Sequence, residues 1–331
     1  MPTLRDKFRG CLLGGAIGDI AGAAVEAESP AFIAKTYRSV DDIFSAKRIE
    51  EFGGGWWEVG LVTDDTQMTL CVAEWLLQDG APHSAERLLA RFAAACDPWR
   101  RYGPGTAMIL RMFREHPGEW RSLATAMFPH GSYGNGSAMR VAPVGLAFFD
   151  DPARLKSVAI ESSRPTHSHP LAYQGAVLQS IAVATAVETV RFSTASFLDP
   201  MRQALTHFTD LLQDTSKFAA ALDAIQRGLE SGASCSQMSS TLGTGIAAYE
   251  AVSTALYCFL RHPNSFEQVI HEAVFIGGDT DTIASMAGGI AGALLGEQAI
   301  PPSWLNAVRE ERYTVAYIRE LADRLFAKFG G

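Results

Sequence analysis

Five glycines within the first 22 residues set the strongest limit on what this chain can fold into. Residues 4 to 28 read as a helix, yet Gly10, Gly14, Gly15, Gly18 and Gly22 fall inside it. Each interior glycine costs a helix about 1 kcal/mol relative to alanine. Such a density is tolerated where another helix or a ligand must approach the backbone closely, and tight helix packing accounts for it. The same stretch carries Asp19 and Glu26, seven residues apart and on one helical face if the helix continues. A buried carboxylate needs a partner or a metal. A nucleotide loop is excluded, because Gly14 to Gly18 lacks the G-x-G-x-x-G order, a preceding strand and the Gly-Lys-Ser/Thr of a phosphate loop.

A second small-residue helix is read after Val274. Ile283, Met286, Ala287, Ile290, Ala291, Leu294 and Leu295 recur with a period near 3.6 and line one face. Asp279, Thr280, Asp281 and Thr282 precede them, behind Gly277 and Gly278. One Asp or Thr suffices to cap a helix. Four in succession leave carboxylate oxygens over, and hard oxygen ligands suit magnesium, manganese or calcium. Thr63, Asp64, Asp65, Thr66 and Gln67 repeat this layout ahead of a helix that sets Met68, Cys71, Val72, Trp75 and Leu76 on one face and ends near Asp79 and Gly80. Either cluster alone is open to capping or ligation. If a core brings the four carboxylates together they repel, and a divalent ion or two relieves the repulsion.

The remaining chain reads as further helices at residues 84–95, 106–113, 141–149, 152–164, 171–190, 217–229, 243–260, 266–274 and 311–329. Residues 29–62, with Gly53 to Gly55, Trp56 and Trp57, read as a surface excursion with one short helix, and residues 231–240 as a loop. The long irregular stretch 117–136 contains Gly131, Ser132, Tyr133, Gly134 and Asn135, a composition that favours turns whose N–H groups can meet ligand oxygens. His167 and His169 precede the 171–190 helix; with no cysteine or third histidine nearby, capping or ligand contact outranks metal ligation. Almost nothing alternates with period two. The expectation is an all-α fold of many short and medium helices in one domain, residues 1–331, with its long loops gathered near a pocket.

Composition narrows the function classes. With 47% hydrophobic and 19% charged residues the chain is ordered and enzyme-sized rather than disordered. A net charge of −8 without a basic patch offers nothing to nonspecific nucleic-acid binding. Cys11, Cys71, Cys96, Cys235 and Cys258 are odd in number and form no C-x-x-C pair, which argues for buried reduced thiols over zinc or disulfides. Neither a signal peptide nor a membrane-spanning segment is read, so a cytoplasmic, non-membrane protein is expected.

Taken together, Gly18-Asp-x-x-Gly22, Thr63 to Thr66, Gly134 to Arg140, His167 and Gly277 to Thr282 resemble the signatures of the ADP-ribosylglycohydrolases, and in that order they span nearly the whole chain. The resemblance implies a compact orthogonal multi-helix fold and two magnesium ions, manganese in some members, in a central acidic cleft. It assigns metal ligation to Thr63, Asp64, Asp65, Asp279, Asp281 and Thr282. Glu26 matches the family's mobile glutamate, associated with coordination and catalysis in the serine-directed branch. Gly131, Ser132, Tyr133, Gly134 and Asn135 match the loop that holds the diphosphate and distal ribose, His167 a ribose-side contact, and Asp19 a support for the cleft. The implied reaction is hydrolysis at C1 of the distal ribose of ADP-ribosylated proteins or small ADP-ribose conjugates. Tyr102 to Gly105, Glu26-Ala27 and the 243–260 run look most like the serine-directed, O-linked branch, whereas Thr66 to Thr69 looks generic to bacterial members, arginine-directed ones included. N-linked arginine, O-acetyl-ADP-ribose, poly-ADP-ribose and a non-catalytic ADP-ribose-binding module are the alternatives, and a monomer is the default.

Overall fold

The computed structural model describes residues 1–50, 56–78, 82–125, 127–206 and 214–331, so Gly53 to Gly55 and the expected helix end at Asp79 and Gly80 lie outside the described residues. Among these residues there are nineteen α-helices, and regular β structure is limited to one antiparallel ribbon, Arg48–Glu50 against Trp56–Glu58. The all-α expectation holds. Seven helices position the site: α1 (Leu4–Ala23), α2 (Asp64–Gln78), α3 (Pro170–Glu188), α4 (Ala248–Arg261), α5 (Phe266–Phe275), α6 (Thr280–Leu295) and α7 (Val315–Phe329).

The glycines of α1 face α6. A Cβ built on Gly10 would lie 2.3 Å from the Gly292 carbonyl oxygen, on Gly14 2.4 Å from that of Gly288, on Gly18 2.1 Å from that of Ala284, and on Gly22 2.2 Å from that of Thr280. Positions rise along one helix as they fall along the other, so the pair is antiparallel and touches backbone to backbone over four successive turns. Only glycine permits this approach. Gly15, off the seam, would place its Cβ an ordinary 3.5 Å from the nearest atom of α6. The consequence for the site is direct: the C-terminal end of α1, with Asp19 and the turn to Glu26, is held against the N-terminal end of α6, with Asp279 and Asp281.

The other elements brace this pair. A capping box between Thr3 and Asp6 starts α1, and Arg5 and Arg9 both donate to Asp323 on α7. On α3, the Gln179 Nε2 donates to the Met286 carbonyl of α6 at 3.1 Å, joining two buried apolar helices with a buried amide. At 19 residues α3, read from sequence as the 171–190 helix but not as a membrane-spanning segment, is long and apolar enough to cross a membrane by length and composition; 72% of its apolar window is buried inside the fold. The five cysteines form no disulfide, and all but the half-buried Cys96 are buried.

Several boundaries differ from expectation. Helix α1 stops at Ala23, so Glu26 reaches the cleft from a turn and not from a continued helix face. The break follows from a distant partner: Ala27 adopts φ 64° and donates its N–H to the Gly278 carbonyl at 2.9 Å. Residues 29–62 hold two short helices, Pro30–Thr36 and Val40–Ser45, besides the ribbon. The 231–240 stretch contains a helix, Cys235–Leu242, opened by a Ser234–Gln237 capping box, and Thr194–Thr206 is helical despite Pro200 inside it. Finally, α4 begins at Ala248 and not at Gly243.

Candidate metal centre and active site

Two helix starts meet at the end of the α1–α6 seam. Asp19, fully buried on α1, caps α2: its carboxylate accepts from the Thr63 N–H at 3.0 Å, the Thr63 hydroxyl at 2.8 Å, the Thr66 N–H at 3.1 Å and the Thr66 hydroxyl. The α2 terminus is thereby satisfied from outside. Asp64 and Asp65, in its first turn, are released from capping, although both are buried. Asp65 Oδ2 accepts from the Thr282 hydroxyl at 3.3 Å and the Thr63 hydroxyl at 3.4 Å, bridging the early and late clusters across 217 residues. Its Oδ1 is buried without a partner.

The late cluster divides its labour. Thr280 donates its hydroxyl to the Gly22 carbonyl at 2.8 Å and belongs to the seam. Asp279 stands at the N-cap of α6, but its side chain makes no capping hydrogen bond; its Oδ2 accepts from the Asn135 side-chain amide at 2.5 Å instead. Asp281 Oδ1 accepts from the N–H of Thr282 at 2.8 Å. Oxygens of Glu26, Asp279 and Asp281 lie within 4.8 Å of one another.

Charge makes this arrangement costly as it stands. Burial pushes Asp64, Asp65 and Asp281 well above the ordinary carboxylate range, and neighbouring carboxylates push further. Burial also raises Asp279, against the amide of Asn135, and raises Glu26, against Arg101. An all-oxygen donor set, three carboxylates converging within 4.8 Å and an orphaned Asp65 oxygen fit a hard divalent cation. These residues could hold one.

A loop closes one side. The Tyr133 carbonyl accepts from Ala248 at 2.9 Å, Asn135 donates its N–H to Ile246 at 2.9 Å, and Gly134 pairs with Ala247 in an isolated bridge. The same segment reaches the late cluster through the Asp279 N–H and the Thr244 carbonyl, 2.8 Å apart. The non-helical residues 243–247, read from sequence as helix, therefore fasten the Gly131 loop to the acidic cluster. The loop's Gly131, Gly134 and Asn135 N–H groups are engaged within the fold, by Phe128, Ser132 and Ile246. Tyr133 is 53% exposed, and its ring stands edge-on to His169, which caps α3 by accepting from the Leu171 N–H. His167 is buried behind the loop: its Nδ1 lies 2.7 Å from the Thr166 hydroxyl, and a Cβ on Gly136 would lie 2.7 Å from its ring. Burial, with Arg140 nearby, depresses it to about 3, so it is neutral.

Sequence reading missed Arg101. Its Nη1 lies 3.1 Å from Glu26 Oε2 and 2.6 Å from the Ala23 carbonyl, and its guanidinium stacks 4.1 Å over buried Trp57. Nothing in the turn-rich 98–105 segment announces that contact, which spans 75 residues. Fully buried Arg140, the last residue of the Gly134 to Arg140 motif, donates to the Ser162 carbonyl at 2.9 Å and lies over Phe92.

The sequence profile of the ADP-ribosylglycohydrolase family matches residues 1–331. Mouse ADP-ribosylhydrolase ARH3 is 36% identical over 329 residues, covering 90% of this chain and 86% of the relative. The ADP-ribosyl-[dinitrogen reductase] glycohydrolase of Rhodospirillum rubrum is 27% identical over 338 residues, covering 99% and 98%. A solved structure described as an ADP-ribosylglycohydrolase-related protein complex superposes with a TM-score of 0.68 at 27% identity, covering 98% of each chain. With acidic clusters, seam and loop in this arrangement, the chain belongs to the ADP-ribosylglycohydrolase family and is a glycosidic-bond hydrolase.

Proposed function

We propose that the cleft hydrolyses the bond between C1 of the distal ribose and a protein side-chain oxygen, with serine-linked ADP-ribose the favoured substrate and two magnesium ions as cofactors. The observation that carries the reading is the meeting of Thr63 to Asp65 with Asp279 to Thr282, next to Glu26, with one buried Asp65 oxygen left for a ligand outside the protein. Divalent cations held there supply positive charge beside the sugar as its C1 acquires oxocarbenium character. Asp64, Asp65, Asp279 and Asp281 hold that charge as carboxylates, with Thr63 and Thr282 completing the donor set, and so are unsuited to serve as the acid in the same step. Asn135 fixes Asp279 by its amide, which couples the loop's position to the ligand's.

Glu26 is the group suited to proton work. Partial burial raises its carboxyl, and it stands on a turn outside α1 where it can shift without moving the helix. In the reaction the C1–O bond breaks, a water oxygen bonds to C1, and the water's proton is passed to the leaving oxygen. The Ser132–Tyr133 corner, whose neighbours' N–H groups are engaged internally, is the part of the loop left to meet the diphosphate. Localisation in the cytoplasm and a monomeric state belong to the same reading.

The experiment is a side-by-side magnesium-dependent release assay on serine-linked, arginine-linked and polymeric ADP-ribose, with Asp279→Asn as control. Serine-linked substrate should be cleaved fastest, and Asp279→Asn should lose both magnesium affinity and release. Near-normal affinity and turnover in that variant would sink the metal assignment; faster release from arginine would sink the serine preference.

A further inference from the structure

Among the described residues, only two non-glycines have a left-handed backbone: Ala27, φ 64°, and Arg101, φ 58°. They are far apart in sequence, yet both bear on one carboxylate. Ala27 follows Glu26 directly, and Arg101 Nη1 lies 3.1 Å from Glu26 Oε2. Each such residue stores on the order of 1 kcal/mol. Strain at two points around one side chain is retained where the surroundings fix the geometry.

The two partners are held unequally. Arg101 has anchors that do not depend on Glu26: it donates to the Ala23 carbonyl at the C-terminus of α1, at 2.6 Å, and stacks over Trp57 at 4.1 Å. Glu26 sits on a short turn, with its side chain about one third exposed. The guanidinium is therefore the fixed part and the carboxylate the part free to turn. Facing Glu26 are Asp279 and Asp281, within 4.8 Å, with Asp19 and Asp64 beyond. Arg101 is the cation the fold itself sets against this group.

We infer that Arg101 is a positioning residue, an internal counter-cation that holds the Glu26 carboxylate and must yield it, wholly or in part, when a divalent cation binds among Glu26, Asp279 and Asp281. The inference rests on the metal reading above. Its signature is competition: the arginine weakens metal binding while keeping Glu26 in place without metal. A merely structural arginine would have the opposite effect, since its loss would disorder the cleft and loosen the metal.

The test is calorimetric titration of the full chain with magnesium and with manganese chloride. Arg101→Gly suits the left-handed backbone, and the strain it relieves offsets part of the lost contacts to Ala23 and Trp57, so it should still fold cooperatively in EDTA, checked by thermal unfolding. It should bind both ions about tenfold more tightly, the scale expected from removing one positive charge at close range in a partly solvated site. Arg101→Lys, which keeps the charge, should stay within about threefold of the parent by the same reasoning. Unchanged or weaker binding in Arg101→Gly overturns the inference, as does tightening of Arg101→Lys to the level of Arg101→Gly. Asp279→Asn separates the two readings. If it abolishes uptake while Arg101→Gly leaves affinity unchanged, the arginine inference alone fails; if neither parent nor variants take up metal, both fail together.

Discussion

Gly18→Ala tests the seam at the tightest of its α1 positions. The added methyl would lie 2.1 Å from the Ala284 carbonyl oxygen, 2.4 Å from its carbon and 2.9 Å from the Ser285 nitrogen, all backbone. No rotamer change relieves this, so the helices must part by about 1 Å or more to restore van der Waals contact. Overpacking against adjustable side chains costs about 1–3 kcal/mol. Against a rigid helix backbone the upper end, about 3 kcal/mol, is expected even after alanine's helix preference is counted. Gly15→Ala is the matched control on the same helix, because its Cβ would find the nearest atoms at 3.5 and 3.7 Å. It should gain up to about 1 kcal/mol by restricting the unfolded chain. At about 2 °C per kcal/mol for a chain of this size, Gly18→Ala lowers Tm by about 6 °C while Gly15→Ala raises it by about 2 °C. Thermal unfolding in EDTA reads both without metal linkage. The same separation moves Asp19 and Glu26 away from Asp281, so magnesium affinity should fall in Gly18→Ala and hold in Gly15→Ala. Equal melting temperatures for the two variants would refute the backbone-contact argument.

Two further outcomes follow from the site. Glu26→Gln keeps the shape and removes the titrating carboxyl; it should fold normally and lose at least about 100-fold in turnover, the usual worth of positioned acid–base catalysis, and parental turnover would remove Glu26 from the proton chemistry. The pH dependence of stability should change with metal. The cleft carboxylates are raised in the folded state, Asp19 to about 6, so the folded chain holds more protons than the unfolded one. Stability of the metal-free protein therefore falls as pH rises from the ordinary carboxylate range through about 6 and beyond. Bound metal favours the ionised forms and opposes that fall, so the Tm difference between magnesium and EDTA should widen from pH 5 to pH 8. A constant difference would show that the metal does not rest on these groups.

The parts legible in sequence were those encoded by local pattern. Glycines at Gly10, Gly14, Gly18 and Gly22 announced a close approach, and the paired Thr/Asp clusters before apolar helices announced two helix starts with more oxygens than caps require. What stayed hidden depended on partners far along the chain. Nothing near Glu26 shows that Gly278 pulls Ala27 into a left-handed turn, and nothing near Thr244 shows that residues 243–247 stay out of the helix to reach both Asn135 and Asp279. The Cys235–Leu242 helix was a different kind of miss: serine-rich composition suggested a loop, although Ser234 and Gln237 already stood at capping-box spacing.

The seam also imposes an order of events on synthesis. Gly10 meets Gly292, so α1 cannot bury its glycine face until some 280 further residues have been made. At translation speeds of about 5–20 residues per second, that interval is roughly 15–60 s. Through it the glycine face of α1 stays uncovered, and the early acidic cluster waits for the late one. Folding is committed late, by a contact of nearly maximal sequence separation. A chaperone that shields residues 4–23 during elongation would thus raise the yield of folded protein more than one acting after release.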